Sequence, residues 1–270
     1  MQGASRASLA EAHERLVAAV ADASAAATIG DELFAVAALL DGEPGLRRAL
    51  ADPTTPVNAR AGLVRGLLGG RISRATLDLA VALASLRWSA PRDLPDTAEQ
   101  LAVLATSAAA EAEGHLDDLE DELFRFGRIV SGEPELRSAL SNPLLTAQRK
   151  RALLEALLAG KVTPTALRLI TQAAVHPRGR SLDASLEEFA RLAASWRQRL
   201  IALVRVATGL TGDQRERLTA ALSATYGRDV HLNVVIDPAI VGGMSVQIGD
   251  EFIDGSVGSR LAQLRRRLAA

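Results

Sequence analysis

Residues 31–50 of this chain read DELFAVAALLDGEPGLRRAL, and residues 121–140 read DELFRFGRIVSGEPELRSAL. The match runs on from Pro53 to Pro143 and from GLVRGLLGGRIS to ALLEALLAGKVT. Identity is about 40% over about 40 residues, far above chance for an ungapped offset. After a two-residue slip, Arg92 aligns with Arg180 and Leu94 with Leu182. A solenoid needs about three repeats to bury its core, so two copies point to two similar domains. The expected boundary lies near residue 106, with a protease-sensitive stretch at Thr106–Gly114 where Ala, Ser and Glu crowd together.

Each copy reads as helices. In the second, Leu119, Leu123, Phe126 and Val130 recur at three- and four-residue spacing, one apolar helix face. Gly-Glu-Pro stops that helix, because proline cannot continue it and disfavours helix in the residue before it. A short helix from Glu135 to Leu140 follows, and Asn142-Pro143 breaks the chain again. Gln148 to Ala159 is amphipathic over Leu153, Leu154, Leu157 and Leu158, with Gly160 as its C-terminal cap. Thr163-Pro164 combines an N-cap with proline at the first helical position and opens a helix over Thr165 to Val175. After the loop His-Pro-Arg-Gly-Arg, Leu182 to Arg199 forms a long final helix. The first copy repeats this plan behind a helix over Ser5–Val20.

Past residue 200 the period changes from helical to alternating. Leu200, Ala202, Val204 and Val206 predict a strand, Thr211 to Ala224 a helix, and Val230 to Ile236 and Met244 to Ile248 two further strands. The link from Pro238 to Gly243 carries turn chemistry, and Val257 to Leu268 reads as a basic helix. The fold class is mainly α. Two tandem helical-bundle domains, residues 1–105 and 106–200, precede a small α+β C-terminal domain, residues 201–270.

Composition narrows the function. Hydrophobic residues make up 48%, enough for real cores, but aromatics only 3%. Cores of Ala, Leu, Val and Ile suit close helix packing more than large ligand pockets. A net charge of −1 supplies no basic field for nucleic acid. With no cysteine, disulfides, thiolate catalysis and cysteine zinc sites are excluded, which fits a reducing compartment. The first residues lack a signal-peptide pattern. No window reaches the roughly 18 uncharged apolar residues of a membrane span, so membrane association is expected through a partner.

Catalytic patterns fail one by one. Gly160-Lys161 lacks the rest of a phosphate loop: Val162 follows the lysine, and Glu155 stands where a glycine is needed. His13, His115, His176 and His231 are scattered too far apart for a metal site. Asp117, Asp118, Glu120, Asp121 and Glu122 follow helical spacing and suit a helix N-terminus, not a calcium loop. The residues describe a binding protein with no cofactor.

The segment VHLNVVIDPAIVGGMSVQIGDEFIDGSVGSRLAQL is long and ordered: an alternating strand, then Asp237, Ile240, Gly242 and Gly243, a second strand, Gly249 and Asp250, then Ile253, Asp254, Gly255 and Ser256. It resembles the signature of the F-type ATP synthase delta subunit family, which includes the mitochondrial oligomycin-sensitivity-conferring protein. Leu140-Ser-Asn-Pro143, the basic run Arg149-Lys150-Arg151 and Arg180-Ser-Leu182 look like that family's helical-domain landmarks. Residues from about 106 to 270 cover the whole usual plan, which leaves residues 1–105 as a surplus copy.

The resemblance implies a non-catalytic peripheral-stalk subunit at the cytoplasmic face of the bacterial plasma membrane. Its helical domain takes the N-terminal helix of an alpha subunit, and its C-terminal domain holds the b subunit. The family's groove lies between the first and fifth helices of the helical domain. By position before the C-terminal domain, those are Glu99–Ala110 and Thr165–Val175, with Leu101, Leu104, Leu167, Ile170 and Ala174 as lining. A helical regulatory adaptor is the alternative that composition alone leaves open. Copurification with alpha, beta and b subunits separates the two.

Overall fold

The computed structural model describes residues 3–197, 200–226, 230–237, 240, 242–248 and 251–254. The chain divides into two compact units, Met1–Arg197 and Gln198–Ala270.

The first unit is helical throughout. Its elements are α1 (Ala4–Ala19), α2 (Ala23–Gly42), α3 (Pro44–Ala51), α4 (Val57–Leu68), α5 (Arg74–Ser85), α6 (Asp93–Ala112), α7 (Leu116–Gly132), α8 (Pro134–Ser141), α9 (Ala147–Leu158), α10 (Pro164–Val175) and α11 (Leu182–Arg197). Local chemistry sets the boundaries. Pro44 and Pro134 open α3 and α8, where a missing amide proton is no loss. The Ser73 and Thr163 side chains accept from the amides of Thr76 and Ala166 as N-caps of α5 and α10. Gly70 and Gly160 follow α4 and α9 at φ 73° and 72°, a left-handed turn that favours glycine.

Tertiary bonds repeat with the sequence. Glu32 accepts from the Ser73 amide at 2.8 Å and its hydroxyl at 2.6 Å. In the second copy Glu122 accepts from the Thr163 amide at 2.9 Å and its hydroxyl at 2.7 Å. Buried Arg60 donates to the carbonyls of Leu50 and Leu86. Its counterpart, buried Lys150, donates to the Ala174 carbonyl. The basic run at Arg149-Lys150-Arg151 thus contains a cation that ties α9 to the end of α10.

The copies do not pack as separate domains. Residue 106 lies inside α6, where 15 of 20 residues are buried. By sequence register α6 is the last helix of the first copy, equivalent to α11, and also the first helix of the second copy, equivalent to α1. It packs along α2 on one side and against α10 and α11 on the other, and one continuous hydrophobic core runs from Ala12 to Trp196. The boundary expected at residues 105/106 is therefore corrected. The run of Ala and Ser read as a linker is a helix buried all round, where small side chains let neighbouring backbones approach. At Gly30 of α2 an added Cβ would meet Thr106 Oγ1 at 2.8 Å and the Ala102 carbonyl at 3.3 Å.

α2 carries Asp31 and Glu32 near its middle, so it holds no run of 18 uncharged apolar residues. It is 20 residues long and apolar enough to cross a membrane by length and composition. Its apolar side chains Ile29, Leu33, Phe34, Val36, Ala37 and Leu40 are instead buried in the helical core.

The second unit contains β1 (Leu200–Val206), α12 (Gly212–Tyr226), β2 (Val230–Ile236), β3 (Met244–Ile248) and β4 (Glu251–Asp254) in one sheet of order β2-β1-β3-β4. β1 pairs parallel with β2, with α12 as the crossover, and antiparallel with β3. Val204, Val206, Val230, Leu232, Val246 and Ile248 bury one core with Leu222 of α12. The basic helix expected over Val257–Leu268 lies outside the described residues.

Candidate partner-binding surfaces

The expected groove lining is closed. Leu101, Leu104, Ile170 and Ala174 are 0–3% exposed, and Leu167 is half-buried. Sharing α6 is the reason. In α1, the positions equivalent to Leu101 and Leu104 are Glu11 and Glu14, both exposed. In α6 those positions turn into the first copy's core, so leucine replaces glutamate. α2 lies along α6 and reaches α10 through an ion pair from Asp31 to Arg168 at 2.9 Å. The first-and-fifth-helix face of the second copy is thus occupied by the first copy. Among the described residues, the equivalent pair in the first copy, α1 and α5, carries no such cover. Leu77 and Val81 on α5 stay half-buried, and Ala7 and Ala10 on α1 are exposed.

Charged groups hold the two copies together. Arg178, in the loop after α10, donates to Asp96 at 2.6 Å and Glu99 at 3.0 Å on α6, and pairs with Asp41 of α2 at 3.7 Å. Arg180 also donates to Glu99. Arg92 donates to the Arg178 carbonyl at 2.8 Å. Arg178 takes a left-handed φ of 53°, held by these bonds. Half-buried His176 sits beside it. Burial lowers its pKa from the ordinary 6.5, Arg151 and Arg178 push the same way, and Asp41 opposes them. The alignment of Arg92 with Arg180 was visible in the sequence, but nothing there marked these arginines as a junction.

Two surface grooves flank this arrangement. A cleft of about 280 Å³ is lined by Phe34, Ala37, Asp41 and Glu99 of the first copy and Val175 and Arg178 of the second. A wider groove of about 380 Å³ runs between α7 and α11, over Phe124, Gly127, Arg128, Asp183, Glu187 and Ala190.

In the second unit Asp237, Ile240, Gly242 and Gly243 lie between the end of β2 and the start of β3. The Asp237 amide donates to the Val206 carbonyl at 2.9 Å, and the Ile240 amide donates to the Asp237 carbonyl at 3.1 Å. The Pro238–Gly243 link, read as turn chemistry, does not join two paired strands. β1 lies between β2 and β3, and the Asp237 bond ties the residue after β2 to the end of β1. Gly243 does adopt the left-handed region, at φ 81°. Ile253 and Phe252 on edge strand β4 are exposed. Asp254 ends that strand, while Gly249, Asp250, Gly255 and Ser256 lie outside the described residues.

The remaining chemistry candidates have structural settings. Gly160 caps α9, and Lys161 donates back to the Leu157 carbonyl at 2.8 Å. Asp117 and Asp118 occupy the first turn of α7. His115 meets Asp118 at 3.0 Å.

The fold is a helical body that repeats one groove, followed by a small α+β unit. Residues 102–268 match the family model for the ATP synthase delta (OSCP) subunit. The chain is 50% identical over 269 residues to "ATP synthase subunit delta" of Thermobifida fusca, covering all of both chains. It is 49% identical to the proteins of the same name from Acidothermus cellulolyticus and Streptomyces griseus, again covering all of both. The chain belongs to the ATP synthase delta (OSCP) subunit family. It is a peripheral-stalk subunit of an F-type ATP synthase, membrane-associated through that complex.

Proposed function

We propose that this chain is a non-catalytic strap. It joins the alpha subunits of the catalytic head to the b subunit, at the cytoplasmic face of the bacterial membrane, so that the head does not turn with the rotor. In this reading the N-terminal helix of an alpha subunit lies on the α1–α5 face of the first copy, in helix-in-groove fashion. The observation that supports it is the closure of the equivalent α6–α10 face by α2. The shared α6 suits the task, because load entering the first copy passes to the second through one buried helix. The C-terminal unit holds the b subunit, with exposed Phe252 and Ile253 as apolar anchors.

The test is titration of the full chain with a peptide of the alpha N-terminus. Val81→Arg on α5 is expected to weaken binding by about tenfold or more, the loss of an apolar anchor. Leu157→Arg, on exposed α9 surface, leaves it unchanged. Full affinity of the Val81→Arg chain overturns the assignment.

A further inference from the structure

The cleft of the first copy and the groove of the second are one surface seen twice. Phe34, Ala37, Ala38, Asp41 and Glu99 line the first, and Phe124, Gly127, Arg128, Ser131 and Glu187 line the second, position for position. In the first copy a helix end covers this surface. The last turn of α10 and its loop sit on it, Phe189 meets Phe34 at a centroid distance of 6.3 Å, and Arg178 and Arg180 reach Glu99. Phe34 is 5% exposed as a result. Its counterpart Phe124 is 63% exposed.

We propose that the α7–α11 groove docks an amphipathic helix from another subunit of the ATP synthase. That helix lays an apolar stripe over Phe124, Gly127 and Ala190 and presents an arginine or lysine near its C-terminal end to Glu187 and Asp183. The first copy supplies the template, an apolar helix end followed by arginines over the same positions. The charges fit it. Glu187 is exposed and forms no ion pair among the described residues, and Asp183 accepts from the Ser131 hydroxyl at 3.1 Å. Glu187 on α11 stands where Glu99 of α6 meets Arg178, and Asp183, one turn before it, stands at the position of Pro95, next to that of Asp96. A second copy of this chain is a poor occupant. Its own α10 end is already seated on its own α2–α6 face, with the Arg178 side chain 5% exposed.

The chain has no cysteine, so Gly127→Cys introduces a single thiol on the groove floor. An added Cβ there meets nothing within 4 Å, so the fold is preserved. Alkylation is timed on the free full-length chain and on the assembled ATP synthase. The thiol is expected to react about tenfold more slowly in the complex, as access is lost. Adding Glu187→Lys returns the rate toward that of the free chain. A photo-crosslinker on the same cysteine, used in the purified complex, lands on a helical segment of another subunit with a basic residue within about two turns. Equal alkylation rates in the free and assembled states overturn the proposal. So does a crosslink to a second copy of this chain, or to a segment lacking the apolar stripe and the base.

Discussion

Arg178 Nη1 lies 3.0 Å from Glu99 Oε2, with the two side chains only 5% and 6% exposed. The arginine belongs to the loop after α10 and the glutamate to α6. Removing Glu99 takes a charge-assisted bond from Arg178 and another from Arg180, while Asp96 and Asp41 still face Arg178, which costs about 1.5–3 kcal/mol. Glu99→Ala is expected to lower unfolding free energy by that amount in urea denaturation. A loss within about 1 kcal/mol, typical of a surface pair, contradicts a buried junction.

The same arginine carries backbone strain at φ 53°. Glycine occupies that region freely, whereas other residues lose about 1–2 kcal/mol there. Arg178→Gly is therefore expected to be less destabilising than Arg178→Ala by about 1 kcal/mol, although both lose the same ion pairs. Equal melting of the two variants contradicts this.

Gly30→Ala sets helix propensity against packing. Alanine gains about 1 kcal/mol in a helix interior, but overpacking costs about 1–3 kcal/mol. The Thr106 hydroxyl, 2.8 Å from the new Cβ, is held by its bond to the Ala102 carbonyl. Packing is expected to win, and Gly30→Ala lowers the thermal midpoint. Combined with Thr106→Ala, which removes the colliding oxygen, it recovers most of the loss. A midpoint raised by Gly30→Ala alone refutes the close approach.

His176 gives the helical unit a pH dependence. Its folded pKa lies below the unfolded value of about 6.5, so the unfolded chain binds the proton more readily. Its contribution to stability is fully present above that value and is lost as pH falls through it toward the folded pKa. Carboxylates such as Asp22 and Asp52, held low by the donors of Ser24 and Thr54, titrate below this window. Between about pH 7.5 and 5, the thermal midpoint of His176→Asn is expected to fall less than that of the parent chain. Identical pH profiles contradict the assignment.

In the C-terminal unit, Gly243→Val places a branched side chain at φ 81°. The expected loss is about 1–2 kcal/mol, read by circular-dichroism melting. Weaker capture of the b subunit is expected with it. Parent-like values in both measurements count against a strained β2–β3 link.

Much of this architecture was legible because its signals are local. Gly-Glu-Pro, Thr163-Pro164 and Gly160 act through backbone geometry within a few residues, and the helices begin and end there. The alternation from Val230 to Ile236 reports burial on one sheet face, again a local property. The sharing of α6 was not legible. A helix that serves two bundles must be small and apolar on every side, and a run such as LATSAAAEA has no amphipathic stripe to mark it. The groove residues failed for the same reason. Leu101 and Leu104 show helical spacing whether they face a partner or the other copy, and only the position of α2 decides between the two. The sheet order, with β1 between β2 and β3, is likewise a non-local fact that the Pro238–Gly243 link does not encode.

α6 completes both copies and makes residues 3–197 one body. Amide hydrogen exchange of the full chain, read by mass spectrometry, tests it most directly. Peptides spanning Leu101–Ala110 are expected to exchange as slowly as any in the helical unit, since their amides open only when the whole unit unfolds. Rapid exchange at Thr106–Ala110, with both flanking copies still protected, would show a linker there and contradict the account.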